Sequence, residues 1–432
     1  MNRRMTAAKG VALAAALSLG LAACGSSEEP TDESTADEMA EGESSADPLV
    51  IGTTLPVTGT LSFLGPPEIA GVGLAVSDIN EAGGVLGNEV TVEWGDSGDN
   101  TDATVANSTA TDHISQGVDA VIGAASSSVT LGVVDTYVEA GIMMISPANT
   151  SAELSDYSEF YTRTAPPDTV QGAALGSLIL EGGHTDVAMI VLNDSYGTGL
   201  RDHTQSAIEA GGGTVVYGAS GEGQEFPPGE TNFGSQVSAA LATDPDALVL
   251  IAFEETTAAV NELVAQGWDF DGTTYFTDGN LSNGYEFDEG TLAGVQGTLP
   301  GAQADDDLRE RLNTWYSENE GGELDGYSYS AESYDATILA ALAAVRGGDT
   351  SGQAIADNIK AVSGAEGGTE VTTFAEGVEA LEAGDEINYT GPSGTGPLNE
   401  MNDPSSAFIG IYEYGDDNQY EYVRQIEGTT AE

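Results

Sequence analysis

The fold is decided by residues 121–154, which read VIGAASSSVTLGVVDTYVEAGIMMISPANTSAEL. A short apolar strand ends at Gly123, and apolar residues then recur at helical spacing until Gly141. A second buried strand, residues 142–145, follows this helix and is stopped by Pro147. Strands that alternate with helices in this way are typical of a parallel sheet covered by helices.

Small hydroxyl residues follow both strands of this stretch. Ser126, Ser127 and Ser128 precede the first helix, and residues 149–151, Asn-Thr-Ser, offer caps for the next one. A helix N-terminus presents free N–H groups and the positive end of the helix dipole, so such turns can bind an anion without a basic side chain. Each hydroxyl alone could be only a cap, but two such turns after successive strands predict a ligand pocket at the carboxyl edge of the sheet.

The beginning of the chain resembles an export signal. Three basic residues lie within the first nine positions, and the apolar run that follows, residues 11–21, is too short to span a bilayer. Leu21-Ala22-Ala23-Cys24 is similar to a bacterial lipoprotein signal, which implies that residues 1–23 are a signal peptide and that Cys24 carries lipid. The alternative is an ordinary secretory signal with a chance Cys. The first interpretation predicts an extracytoplasmic protein that is anchored to the cell membrane by lipid.

Residues 24–47 are predicted to be a disordered acidic tether, because they are rich in Ser, Glu and Asp and contain no aromatic residue. Cys24 is the single Cys of the sequence, so we expect neither a disulfide nor a thiolate metal site. The sequence contains no HExxH motif and no phosphate-loop pattern, and we expect no metal and no cofactor.

The charge balance excludes whole classes of partner. The 432 residues include 71 acidic and 10 basic ones, which gives a formal net charge of −61. Three of the basic residues and none of the acidic ones lie in residues 1–23, so the rest of the chain carries −64. Binding to nucleic acid through charge is therefore excluded. Such self-repulsion is relieved by salt, and we hypothesise that the protein works in a high-salt environment as a monomer.

The alternation of strands and helices pauses near residues 161–167 and then resumes. Further strands are predicted at residues 186–192, 247–253 and 274–276, with helices between them. Residues 48–432 number 385, which suits two domains better than one.

Several short pieces, in their order along the chain, carry a family resemblance. They are Ile51-Gly52, Leu55-Pro56-Val57-Thr58-Gly59, Leu74-Ala75-Val76, Asp78-Ile79-Asn80, Ala82-Gly83-Gly84-Val85-Leu86-Gly87, residues 122–130, Ile145-Ser146-Pro147-Ala148-Asn149-Thr150, Arg163-Thr164 with Asp168 and Gln171-Gly172, Tyr196-Gly197-Thr198-Gly199, and Tyr334-Asp335-Ala336. With these pieces the chain resembles the solute-binding proteins of ABC importers, specifically the branched-chain amino-acid-binding (leucine/isoleucine/valine-binding) family.

This resemblance implies the type I periplasmic binding protein fold. In that fold, two Rossmann-like α/β lobes with mostly parallel sheets are joined by a hinge of three crossings, and the ligand lies between the lobes. On this chain, lobe 1 would comprise residues 48–163 and 301–390, and lobe 2 residues 164–300 and 391–428.

The resemblance also implies which residues bind the ligand carboxylate and ammonium. Ser127 and Thr150 would each hold the carboxylate with a hydroxyl and an N–H group. The Ala148 carbonyl and the Thr150 hydroxyl would accept from the ammonium, Tyr196 would approach from lobe 2, and Asp278 would pair with the ammonium. Many members have Glu in place of Asp278, and the shorter side chain would change the position of the ligand or admit a water.

Phe253 matches a position that is often aromatic and would form a wall around the ligand side chain. Leu64 stands where some members have an aromatic residue, so at this position the chain departs from the family pattern. The predicted function is capture of a small zwitterion, a branched-chain or other apolar amino acid, by hinge closure and delivery to membrane permease subunits. A zwitterion would feel no net force from the acidic chain, whereas a free carboxylate would be repelled.

Three alternatives stay open at this point. The ligand could be urea, a short amide or an aromatic acid, or the chain could be a sensor domain that feeds no importer. It could also be an enzyme, with a nucleophile among Ser126 to Ser128 and His113, His184 or His203 as the base. No G-x-S-x-G elbow surrounds the serines, and the histidines lie in stretches that favour a surface role, so we expect no catalytic residues and no enzyme.

Overall fold

The structure is a computed structural model that describes residues 47–429. These residues form fourteen strands and eleven α-helices. The strands are β1 Val50–Thr54, β2 Thr91–Glu93, β3 Ala120–Gly123, β4 Met143–Ser146, β5 Tyr161–Arg163, β6 Asp186–Val191, β7 Thr214–Tyr217, β8 Ala247–Ile251, β9 Thr274–Phe276, β10 Gln296–Pro300, β11 Thr369–Val371, β12 Ile387–Tyr389, β13 Ser406–Tyr414 and β14 Tyr420–Thr429. The helices are α1 Gly65–Glu81, α2 Thr104–Gln116, α3 Ser127–Ala140, α4 Asp168–Glu181, α5 Ser195–Ala210, α6 Gly234–Leu241, α7 Thr256–Gln266, α8 Asp306–Asn319, α9 Ser330–Gly347, α10 Gly352–Val362 and α11 Phe374–Ala383.

The strands form two large sheets. The first has five parallel strands in the order β2-β1-β3-β4-β5. The second has seven strands in the order β14-β13-β10-β9-β8-β6-β7, and only the pairs made by β13 are antiparallel. The short strands β11 and β12 pair separately. The prediction of an α/β fold with mostly parallel sheets is therefore confirmed.

Each large sheet has its own helices. Helices α1 to α3 and α8 to α11 pack around the five-stranded sheet, which we call lobe 1, and α4 to α7 pack around the seven-stranded sheet, lobe 2. Within the described residues the chain passes between the lobes three times: after β5, after β10 and after β12. These passages have the pattern of a three-crossing hinge. The residue limits given above for the two lobes stay a prediction.

The central stretch folds as its sequence requires. Strands β3 and β4 are wholly buried, and between them α3 is capped by Ser126, whose hydroxyl accepts from the Val129 N–H. Gly141 ends α3 with a φ of 71°, the left-handed conformation that glycine adopts without strain. After β4, however, the predicted helix is only a 3₁₀ turn, Ala152–Leu154, so the dipole at this second turn is small.

Several elements were not predicted. Helix α4 is one of them, and it contains two glycines that lower helix propensity. In the structure these glycines allow close contact with α5: a Cβ on Gly172 would come within 2.6 Å of the His203 Cβ, and one on Gly176 within 2.5 Å of the Ala207 Cβ. Strands β5 and β10 and the elements α10, β11, α11 and β12 were also missed; most of these strands are too short to show a period.

Candidate ligand-binding site

The candidate site lies where the carboxyl ends of the two sheets face each other. In lobe 1, β1 lies between β2 and β3, and in lobe 2, β6 lies between β7 and β8, so the strand order reverses at these points. Crevices at such reversals are where open α/β sheets bind ligands. The segments that follow β3 and β4 in lobe 1 and β6, β8 and β9 in lobe 2 all reach one cavity.

All six residues predicted to bind the ligand line this cavity. They are Ser127, Ala148, Thr150, Tyr196, Phe253 and Asp278, and Leu64 is among the other lining residues. The cavity is narrow: about 20 Å³ is open to the centre of a water molecule, which is room for about one water. A larger solute can therefore enter only when the lobes move apart.

Ser127 fastens the two hydroxyl-rich turns together. Its Oγ accepts from the Thr150 N–H at 3.2 Å and from the Ser151 N–H at 3.1 Å. The N–H groups of Ser127 and Ser128 belong to the first turn of α3, where no intrahelical acceptor exists. The Thr150 Oγ1 is buried and has no hydrogen-bond partner. This side of the cavity thus offers donors and contains no basic side chain.

Asp278 provides the opposite side of the cavity. It begins a short 3₁₀ turn after β9, and its Oδ1 accepts from the Gln171 Nε2 at 2.7 Å and from the Tyr196 hydroxyl at 2.8 Å. Its Oδ2 accepts from the Tyr329 hydroxyl at 2.7 Å. Burial raises the pKa of Asp278 above its ordinary value, although these three hydrogen bonds act in the other direction. No Lys, Arg or His nitrogen of residues 47–429 lies within 4 Å of this carboxylate.

Apolar side chains form the remaining walls. The rings of Phe253 and Tyr196 are stacked, with their centroids 5.4 Å apart and their planes 14° from parallel. Leu61, Leu64 and Ala125 of lobe 1 belong to the same buried cluster as these two residues of lobe 2. The cavity therefore combines a polar floor with aliphatic and aromatic walls.

The lobes contact each other beside the cavity through Asp194. This carboxylate caps α5 by accepting from the Gly197 N–H at 2.7 Å, and its Oδ2 also accepts from two lobe 1 groups, the Asn100 Nδ2 at 3.0 Å and the Ser128 Oγ at 3.2 Å. Burial raises the pKa of Asp194 to about 6. A backbone hydrogen bond from the Glu254 N–H to the Thr60 carbonyl also crosses between the lobes.

Tyr329, Gln171 and Asp168 are among the residues around the site that were not predicted for it. Tyr329 lines the cavity and Gln171 supports Asp278 from behind. Asp168 is fully buried behind Thr150, and its N–H donates to the Thr150 carbonyl at 2.7 Å. Burial raises the pKa of the Asp168 carboxyl well above its ordinary value. Asp168 and Gln171 were visible in the sequence as parts of the family resemblance, whereas nothing in the sequence marks Tyr329.

The histidines do not form a catalytic arrangement with the serines. His113 was expected on the surface, but it is 2% exposed and its ring nitrogens contact the Tyr137 hydroxyl and the Glu93 carbonyl. His184 bonds to the Gly272 carbonyl. Ser126 and Ser128 bond to each other, at 3.2 Å between their Oγ atoms.

Comparison with known proteins now assigns the family. Residues 48–382 match the family model described as periplasmic binding protein. The chain belongs to the periplasmic binding protein family. This family and the fold are those of solute-binding proteins, and membership implies an extracytoplasmic location.

Two relatives of this periplasmic binding protein bear informative names. A chemotactic signal transduction system substrate-binding protein, BasB, from Halobacterium salinarum is 26% identical over 381 residues, which cover 84% of this chain and 86% of the relative. A Leu/Ile/Val-binding protein homolog from Brucella abortus is 31% identical over 183 residues, covering 41% of this chain. That second match spans about half of the relative, 48% of its length.

Among solved structures, a leucine binding protein, LivK, from Thermotoga maritima has the same fold. It superimposes with a TM-score of 0.70 at 21% identity, covering 88% of this chain and 98% of that one. The predicted type I periplasmic binding protein fold is thus confirmed.

The predictions for the N-terminal segments, for the roles of the cavity residues and for the monomeric state stay predictions. The signal peptide, Cys24 and nearly all of the tether lie outside the described residues. Within residues 47–429 no group of three or more His, Asp or Glu side chains is placed to hold a metal ion. In the same part of the chain no helix combines the length and the apolar character needed to cross a membrane. The ligand-binding roles of the six cavity residues and the monomeric state stay predictions.

Proposed function

We propose that the protein is the solute-binding component of an ABC importer, and that it captures a branched-chain or other apolar amino acid between its lobes and delivers it to membrane permease subunits. One observation carries the proposal: N–H and hydroxyl donors from lobe 1 face a carboxylate of lobe 2 across a narrow, apolar-walled cavity. This polarity suits a zwitterion, with its carboxylate at Ser127 and Thr150 and its ammonium at Asp278.

The geometry of Asp278 supports the placement of the ammonium. Its Oδ1 already accepts two hydrogen bonds, but its Oδ2 accepts only one, from Tyr329, and so retains a lone pair for an N–H donor. The names of two similar proteins, a Leu/Ile/Val-binding homolog and a leucine binding protein, favour the same ligand class. Lipid on Cys24 would keep this receptor beside its permease.

Titration calorimetry with leucine tests the proposal. Ser127→Ala and Thr150→Ala should each weaken leucine binding by roughly tenfold, because each removes a hydrogen bond to a charged group. Ser115→Ala and Thr111→Ala are matched controls, since these residues lie exposed on α2 of the same lobe and should leave the affinity unchanged. Equal affinities in all four variants would mean that leucine does not bind between the lobes.

The similarity to BasB favours a second candidate, a receptor that reports its ligand to a chemotactic system. Both candidates need the same ligand site, so binding data alone do not separate them. Uptake of radiolabelled leucine by cells with and without the gene separates them. Loss of the gene for an importer component should lower leucine uptake. Loss of the gene for a pure sensor should leave uptake intact and abolish attraction to leucine.

A further inference from the structure

A second, larger cavity lies beside the crossing that follows β10. Its walls come from residues 299–304, residues 325–332, Arg309 of α8 and the β13–β14 hairpin, and we call it the hinge cavity. About 370 Å³ is open to water there, within the range of small-ligand pockets. Tyr329 lines both this cavity and the candidate site.

Arg309 is the unusual residue of this cavity. The five other arginines of residues 47–429 each have a carboxylate within 4 Å, at Asp403, Glu225, Asp78, Glu386 and Glu181. Arg309 has none, and its Nε is buried without an acceptor. In a chain with 71 acidic residues, a guanidinium that lines a cavity and has no carboxylate within 4 Å is available for an anion from outside.

Aromatic rings surround this guanidinium. Its Cζ lies 5.2 Å from the ring centroid of Tyr327. Also in the cavity lining, Tyr412 packs edge-on against Tyr420 and Tyr422, with centroids 5.3 and 5.6 Å apart. Such rings offer faces and edges on which a flat apolar group can stack.

The acidic side chains that line the hinge cavity do not neutralise the Arg309 guanidinium. Glu332 lines the cavity at 2% exposure, and its Oε1 has no hydrogen-bond partner. Burial raises the pKa of Glu332 well above its ordinary value, so this carboxyl favours its uncharged form, which can donate a hydrogen bond. Asp325 and Glu421 are exposed at the rim.

We propose that the hinge cavity is a second ligand site, which binds a small carboxylate with a flat aromatic body. Arg309 would hold the carboxylate through its guanidinium, and the tyrosines would enclose the ring. An organic cation fits less well, since it would have to lie against Arg309. This site goes beyond the proposed amino-acid function and does not depend on it.

Benzoate is a suitable probe, with benzamide as the uncharged ligand of the same shape. By titration calorimetry in molar KCl, which screens the repulsion between the acidic chain and a carboxylate, we expect benzoate to bind, and benzamide to bind roughly tenfold more weakly or worse. Arg309→Gln should weaken benzoate binding to a similar extent. Arg424→Gln is the matched control, because Arg424 lies on β14 but outside the cavity and pairs with Glu181 at the surface.

Two further variants keep the test decisive. Tyr422→Ala removes a partly exposed ring of the cavity and should also weaken benzoate binding. This variant replaces Arg309→Gln in the test if Arg309→Gln does not fold. Ser127→Ala should leave benzoate binding unchanged. The proposal is overturned if benzoate does not bind, if Arg309→Gln and Tyr422→Ala bind it as the unmodified protein does, or if Ser127→Ala abolishes its binding, which would place benzoate in the candidate amino-acid site instead.

Discussion

Asp278 is a buried carboxylate that accepts from three neutral donors and, among residues 47–429, from no cation. Burying a charge in this way costs free energy, because hydrogen bonds from neutral groups replace only part of its hydration. The ligand ammonium proposed above would supply the missing counter-charge. Because only a ligand with a positive group offsets the free-energy cost of burying Asp278, this cost favours binding of a zwitterion.

Asp278→Asn tests this directly. The amide has the same shape but no charge, so leucine binding should fall by roughly 100-fold, as expected when a buried ion pair loses one partner. Binding of 4-methylpentanoate, which is leucine without its amino group, should not fall. Titration of both compounds gives the ratio of their affinities, and a ratio that matches that of the unmodified protein would contradict the role of Asp278.

Sequence alone could identify the residues that follow strand ends. Ser127, Thr150, Tyr196 and Asp278 each come shortly after a strand that is visible in the chain, and the resemblance supplied their roles. Tyr329 could not be found in this way, because it lies between α8 and α9 and no strand precedes it there. Its φ of 59° is rare for a residue with a Cβ and depends on the surrounding structure.

The segment before α2 and the start of α5 form the clearest contact between the lobes. Asn100 belongs to lobe 1 and donates to Asp194, the residue that caps α5 of lobe 2. Because this hydrogen bond exists only when the lobes are together, it should stabilise the closed form and slow the release of ligand.

Asn100→Ala should therefore speed leucine dissociation about fivefold, as expected for the loss of about 1 kcal/mol from one hydrogen bond. Stopped-flow displacement of leucine measures this rate. Asn107→Ala is the matched control: its side chain is exposed on α2 and donates within its own lobe, to the Ala103 carbonyl. Equal dissociation rates for the two variants would show that the contact does not stabilise closure.

Element prediction succeeded where the period was clear and failed where tertiary packing decides. The helical spacing of apolar residues predicts helices over residues 256–266 and 306–319, and these limits are those of α7 and α8 in the structure. Helix α4 was missed because Gly172 and Gly176, which weaken a helix in isolation, allow it to pack closely on α5. Likewise, β5 carries Arg163, which reads as a surface residue, yet Arg163 is fully buried and pairs with Asp403 at 2.7 Å.

The acid excess of the chain predicts salt dependence. With a formal net charge of −61, repulsion between carboxylates opposes the compact state, and added salt screens it. The thermal midpoint should rise between low and molar KCl. Sodium chloride at equal ionic strength should act alike if screening is the cause, and a midpoint that does not rise with salt would contradict the high-salt hypothesis.

Buried carboxyls predict that stability increases as pH falls from 7 to 5. Burial raises the pKa values of Asp119, Asp194 and Asp335 from 3.8 to about 6. In the pH range between these two pKa values, the folded protein therefore binds more protons than the unfolded chain. The free energy of unfolding should then rise by up to about 1.4 kcal/mol per pH unit for each fully buried group.

Urea unfolding in molar KCl at pH 7, 6 and 5 measures this slope with surface repulsion screened. Asp335 is fully buried and accepts from the Tyr389 hydroxyl and the Ser393 N–H. Asp335→Asn should flatten the slope, whereas Asp112→Asn, at an exposed position on α2, should not. Stability that is constant or lower at pH 5 would contradict the prediction.

The place of β13 and β14 in the second sheet has a consequence for biosynthesis. These strands pair next to β10, more than a hundred residues earlier in the chain, and the Tyr414 hydroxyl donates to the Ser282 carbonyl. A nascent polypeptide that has not yet released residues 406–429 from the ribosome therefore lacks one flank of that sheet. Maturation of this half must wait until those residues emerge, more than a hundred residues after β10 has been translated.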